Sequence, residues 1–128
     1  METTELETKV YISLTQNTEL MGMLPNGGDV PIYHHLAVAG DHQRYPILVY
    51  TVTNDVPVIY GDDGEEFHKV TIRISIVTND GQYSEINKKI REIMTKELGF
   101  ERVNTVPMAD FEYSKVILNC DYSKTIQA

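Results

Sequence analysis

The chain has 128 residues, a net charge of −8 and a pI near 4.8, long enough for one domain that buries about two-thirds of what its unfolded form exposes. Hydrophobic residues make up 41% and charged residues 23%, which is ordinary globular usage and excludes a wholly disordered chain. The acidic balance argues against a surface built to grip nucleic acid or anionic lipid, since both need clustered Lys and Arg; a passage through which DNA slides without sticking remains compatible with it.

The N-terminal METTELETKVYISL starts acidic and polar. It has no basic flank ahead of an apolar stretch, so it does not read as a signal peptide. No apolar run approaches the ~20 residues that span a bilayer, and the expectation is a soluble protein without a membrane partner. Leu6, Val10 and Leu14 recur every four residues beside Tyr11, one apolar stripe of a helix over about residues 4–16. Glu2 and Glu5 suit the positive end of its dipole. Asn17 is placed to cap a short second helical turn, TELMGML, which Pro25 and Asn26-Gly27-Gly28 end. Ile32 and Tyr33 fit a short strand, and Gly40 to Arg44 a loop.

Pro46 then opens an apolar run, Ile47 to Val52, that reads as a strand over about 46–53 covered on both faces. From His68 onward Val70, Ile72, Ile74 and Ile76 alternate with Lys69, Thr71, Arg73 and Ser75, a half-buried strand over about 68–78. Thr78-Asn79-Asp80-Gly81 is a turn. Tyr83, Ile86, Ile90, Ile93, Met94 and Leu98 have helical spacing over about 82–98, with Gly99 as the C′ residue. Strands over about 101–106 and 112–122 close the chain, with Pro107 to Asp110 turning between them and the final SKTIQA frayed or recruited by a neighbour. No internal repeat or low-complexity segment stands out. The element order predicts a single α+β domain spanning 1–128: an antiparallel or mixed sheet with an N-terminal helix and one long helix packed on one face.

Few residues carry chemistry. Asp62, Asp63, Glu65 and Glu66 crowd around Gly64, but the run is too compact for a calcium loop, which spreads its oxygen ligands over about a dozen residues. Gly61-Asp62-Asp63-Gly64 between two strand-like runs is turn chemistry, the tip of a hairpin. His34 and His35 are adjacent, so on an extended segment their rings point to opposite faces rather than to one metal. His42 and His68 fit a loop and a strand rim. Lys88, Lys89, Arg91 and Lys96 alternate with Glu85, Glu92 and Glu97 on one helix, a solvated face. Neither a nucleophile elbow nor a phosphate loop occurs. The single cysteine, Cys120, cannot form an internal disulfide and reads as a buried thiol in a reducing, cytosolic setting. No catalytic, cofactor-binding or metal-binding residues are expected. Eight tyrosines without a tryptophan favour contact surfaces and assembly.

The segment IYHHLAVAGDHQRYPILVY, then GDDGEEFHKVTIRISIVT, DGQYSEINKKIREIMTKELGF and FERVNTVPMADFEYSKVILNCDYS, resembles in order the small tail-completion proteins of long-tailed bacteriophages, also called tail terminators or head–tail joining proteins. The resemblance spans about residues 4 to 124 and rests on element order and scattered residue types. It implies a non-enzymatic ring subunit, often hexameric. Such a ring caps the head-proximal end of the tail tube and joins it to the head connector, in the virion tail and, during assembly, in the host cytoplasm. The partners implied are other copies of the chain, the tail-tube protein and the head connector, without sequence-specific nucleic-acid binding. By position, Val56, Tyr60, Asp62, Asp63, Glu65 and Glu66 form the candidate assembly-interface loop. Two other readings stand beside it: a small metal-dependent hydrolase using the Asp62–Glu66 loop with a histidine, and a bacterial or prophage module that binds a peptide by adding a strand to a free sheet edge.

Overall fold

The computed structural model describes residues 1–25, 30–34, 45–59, 66–110 and 115–127. Helix α1 (Thr3–Gln16) buries Leu6, Val10 and Leu14, the stripe predicted by its spacing. Asn17 turns the chain into α2 (Thr18–Gly22), and its Oδ1 accepts the Leu20 amide at 2.9 Å, supplying a partner that the first helical turn cannot provide itself. Strand β1 (Ile32–His34) is short. Strands β2 (Ile47–Ile59), β3 (Glu66–Thr78), β4 (Glu101–Asp110) and β5 (Lys115–Gln127) are long. Between β3 and β4, α3 (Ser84–Glu92) runs on into a π-helical turn, Ile93–Glu97, giving one helix of 14 residues.

The sheet order is β1-β2-β3-β5-β4. β1 pairs parallel to β2, and every other neighbour is antiparallel, so the class is α+β with a mixed sheet. All three helices lie on one face. Leu48 and Tyr50 of β2, Val70, Ile72, Ile74 and Ile76 of β3, and Leu118, Cys120 and Tyr122 of β5 meet the helical stripes in one buried cluster. The registers Tyr50↔Ile74↔Cys120 and Leu48↔Ile76↔Leu118 put these side chains in rows across the sheet, as a side-chain period of two requires.

The π-helical turn follows from the sequence Ile93-Met94. Both side chains are fully buried, and two consecutive residues face one side more easily when the turn widens from 3.6 residues. The Leu98 amide reaches the Ile93 carbonyl at 3.1 Å and the Phe100 amide the Met94 carbonyl at 2.8 Å. Gly99 takes φ +74°, a left-handed conformation that a Cβ disfavours. Lys124 of β5 donates to the Leu98 carbonyl at 2.6 Å, neutralising the negative end of the helix.

Three boundaries differ from the sequence expectation. Pro107 to Asp110 is not a turn: β4 runs straight through it, paired to β5 as far as Asp110↔Lys115. Proline ends a central strand but is tolerated on an edge, and among the described residues β4 has β5 as its one strand neighbour. The C-terminal residues are not frayed, because β5 continues to Phe67↔Gln127 alongside β3. β2 extends to Ile59, and its exposed stretch from Thr53 to Pro57 lies beyond the three residues paired to β1. A strand covered at one end and open at the other does not read as one element in hydropathy.

Candidate functional site

Of the candidate loop residues, Tyr60, Asp62, Asp63 and Glu65 lie outside the described residues. Val56 and Glu66 lie within them, both exposed, on β2 and at the first position of β3. The two strands pair antiparallel up to Ile59↔Glu66, so the acidic run links the arms of one long hairpin.

The half of that hairpin nearest the acidic run is tied to α1. Thr3 Oγ1 donates to Asp55 Oδ2 at 2.5 Å, and His68 Nδ1 meets Asp55 Oδ1 at 2.6 Å. The Met1 carbonyl lies 3.4 Å from His68 Nε2. These residues come from α1, β2 and β3, and only the topology joins them. Asp55 is held below its ordinary carboxylate value, first by the Thr3 hydrogen bond and then by that of His68. His68 is raised, chiefly by its hydrogen bond to Asp55, with burial opposing and the Asp55 and Glu2 charges assisting.

The pH dependence follows from these directions. A raised histidine contributes stability that is complete below its unfolded value of 6.5 and fades as pH climbs through the higher folded value. A depressed aspartate contributes above its unfolded value of 3.8 and fades as pH falls through the lower folded one. The tie is therefore strongest between about pH 4 and 6.5. His68→Asn should flatten the fall in melting temperature between pH 6 and 8. The effect is small, because the Asp55 side chain is 38% exposed and screened by solvent. A profile identical in both proteins removes the pair as its source.

A second contact of the same kind joins α1 to β1. His34 Nε2 pairs with Glu7, and its ring stacks on Tyr50 with centroids 4.8 Å apart. His34 and His68 thus serve as joints between elements. Among the described residues no group of three or more His, Cys, Asp or Glu side chains is placed to hold a metal ion, and His35 and His42 lie outside them.

The charged face of α3 is only partly a solvated one. Lys89 Nζ bridges to Glu19 of α2 at 2.6 Å and to Glu92 at 3.4 Å. The hydrogen bond raises Lys89 and lowers Glu19. Glu19, Met23, Glu85, Lys88, Lys89 and Glu92 surround an open hollow of about 170 Å³, shallow and self-paired. Cys120 is buried as expected. Its thiol donates to Asn87 Oδ1 at 3.2 Å, and burial pushes its pKa up, which suppresses the reactive thiolate.

The sheet face turned away from the helices carries a feature that period-two reading shows only as polar residues. Three consecutive rungs of β3 and β5 are hydrogen-bonded across the strands. Thr71 pairs with Ser123 at 2.9 Å, and Ser75 Oγ donates to Asn119 Oδ1 at 2.5 Å. Between them Arg73 makes a two-pronged contact with Asp121 at 2.8 and 3.2 Å. Asn119 then donates to the Met108 sulfur of β4 at 3.1 Å. These groups satisfy one another, so the face is a stiff, neutralised platform. No helix among the described residues is long and apolar enough to cross a membrane.

No protein-family model and no curated protein matches the sequence. The fold does match: a chain in the structure of the virion of a native gene transfer agent (GTA) particle superimposes with a TM-score of 0.61 at 9% identity, over 93% of this chain and 92% of that one. At such identity the likeness is one of fold, and it extends over nearly the whole length of both chains.

Proposed function

We propose that the chain is a non-enzymatic structural subunit of a phage tail that caps the head-proximal end of the tail tube and joins it to the head. The observation that carries this reading is the end-to-end fold likeness to a virion component, 93% of one chain against 92% of the other. The geometry supports it. His34, His68, Lys89 and the platform arginine Arg73 are engaged in ties between elements, and the Cys120 thiol is buried. What faces outward is contact surface. The partners are further copies of the chain, the tail-tube protein on one side and the head connector on the other, in the virion tail.

The test is assembly. Particles made without the chain should leave filled heads unattached and tails without a defined end, counted by negative-stain microscopy. The wild-type gene should restore joined particles. Asp62→Ala with Asp63→Ala should melt within about 2 °C of wild type, yet restore at least tenfold fewer. Full restoration by the double variant sinks the acidic loop as an assembly contact. A metal-induced rise in melting temperature with Mg²⁺, Mn²⁺ or Zn²⁺, together with normal particles made without the chain, supports the hydrolase reading instead.

A further inference from the structure

The two open edges of the sheet carry the same short pattern. On β2 it is Thr53-Asn54-Asp55-Val56-Pro57-Val58, and on β4 it is Val103-Asn104-Thr105-Val106-Pro107-Met108. Each is a β-branched residue followed by Asn-x-Val-Pro and an apolar residue. The structural context is also shared. The ladder shifts between Val52 and Asn54 on β2, and between Arg102 and Asn104 on β4, so Thr53 and Val103 are the extra residues of two equivalent bulges.

Register fixes which way the side chains point. Asn54, Val56 and Val58 pair with Thr71, Lys69 and Phe67, on the face away from the helices. Asn104, Val106 and Met108 pair with Asp121, Asn119 and Ile117, on that same face. The platform of polar rungs is therefore bordered on both sides by one Asn–Val–apolar row. Of the large hydrophobic side chains that stand exposed, Val56 at 43%, Val103 at 58%, Val106 at 40% and Met108 at 54% belong to these two segments.

β3 and β5 separate the two strands, and the alternating directions make β2 antiparallel to β4. Among the described residues β1 covers β2 only at Leu48 to Tyr50, leaving its second half open. One copy therefore offers, on opposite flanks, two open strands of opposite direction with matching apolar side chains. Those are the two different patches a head-to-tail contact needs.

We propose that the Asn54–Val58 edge of one copy docks against the Asn104–Met108 edge of the next, continuing the sheet from subunit to subunit. The inference rests on the reading of the chain as a repeated subunit and gives that subunit its contact. The bulges at Thr53 and Val103 bound the contact at one end, and Pro57 and Pro107 lie within it. Each proline lacks a donor and each bulge interrupts the ladder, so pairing along the edge is held to a few rungs. A strip of five residues is ~17 Å long and, at ~10 Å of sheet thickness, covers about 170 Å² per partner. That is well below the ~800 Å² per partner of a standard stable complex. A single contact is weak, and ring closure, which gives every copy two, holds the assembly.

The experiment uses two full-length variants, Val56→Cys and Val106→Cys, and a short bismaleimide, with mass followed by light scattering over the same concentrations. Cys120, 1% exposed, stays silent. We expect the mixture to give at least tenfold more crosslinked dimer than either variant alone, in step with rising mass. Val106→Glu should raise the concentration for half-assembly at least tenfold while melting with wild type. Mass that rises without the mixed crosslink, or with equal crosslinking of one variant alone, overturns the proposed edges and leaves the repeated-subunit reading standing. Mass that stays monomeric throughout overturns the edge contact too, and the particle assay then decides the function separately.

Discussion

Ile74→Ala should lower the unfolding free energy by about 3–4 kcal/mol, the range for emptying a fully buried isoleucine site. Ile74 lies at the middle of β3, the central strand, between Tyr50 on β2 and Cys120 on β5, with no exposed surface. Its neighbours in the same row are held by two flanking ladders and by the helices above, so the site can collapse little around the missing carbons. For a domain this size the loss corresponds to a fall of ~10–15 °C in melting temperature. It is also a large share of the ~5–15 kcal/mol that keeps a domain folded. Ile12→Ala is the control, because Ile12 is 44% exposed on α1 and should change stability by less than ~0.5 kcal/mol. Equal losses in the two variants would mean that the sheet centre is not the core.

Tyr122→Phe should act in the opposite direction, stabilising the protein by about 1–2 kcal/mol and raising the melting temperature by ~3–6 °C. Tyr122 is completely buried on β5, opposite Ile72 and Arg102, and its hydroxyl has no hydrogen-bond partner among the described residues. Burial drives its pKa far upward, the same desolvation seen as proton affinity. Removing the oxygen removes an unsatisfied polar group and leaves only a small void. The Thr105 hydroxyl on β4 is also buried, in the strip where β4 and β5 meet the helices, and lies beside the Cys120 thiol across the ladder. A loss of stability of about 1 kcal/mol in Tyr122→Phe would show that the hydroxyl is satisfied after all, by a bound water.

The apolar alternation of Val70 to Ile76 and the stripes of Leu6–Val10–Leu14 and Ile86–Ile90 were legible because each is a local period, written into residues that share a face. Asn17 was legible as a cap for the same reason: its partner, the Leu20 amide, is three residues away. The π-helical turn at Ile93-Met94 was not, since two adjacent apolar residues look alike in an ordinary helix. Pro107 misled the reading of β4, because proline signals a break unless the strand is known to be an edge. Of the candidate site, the acidic run stood out by composition, whereas the ties of Asp55 to Thr3 and His68 join residues far apart in the chain. The equivalence of the Asn54 and Asn104 segments escaped notice because five residues are too few for a repeat until a shared bulge and a shared face identify them.

The sequence alone therefore determined the class: an acidic α+β chain, one strongly alternating strand, two amphipathic helices, a buried thiol and a hairpin rich in carboxylates. Each of these depends on neighbours within a few residues, where chemistry and spacing suffice. Tertiary structure alone decided the strand order, which strands are edges, which polar residues meet across the platform and which valines stand in solvent. Those depend on partners brought together by packing the helices on one face of the sheet, and no local pattern encodes which strand will lie outermost.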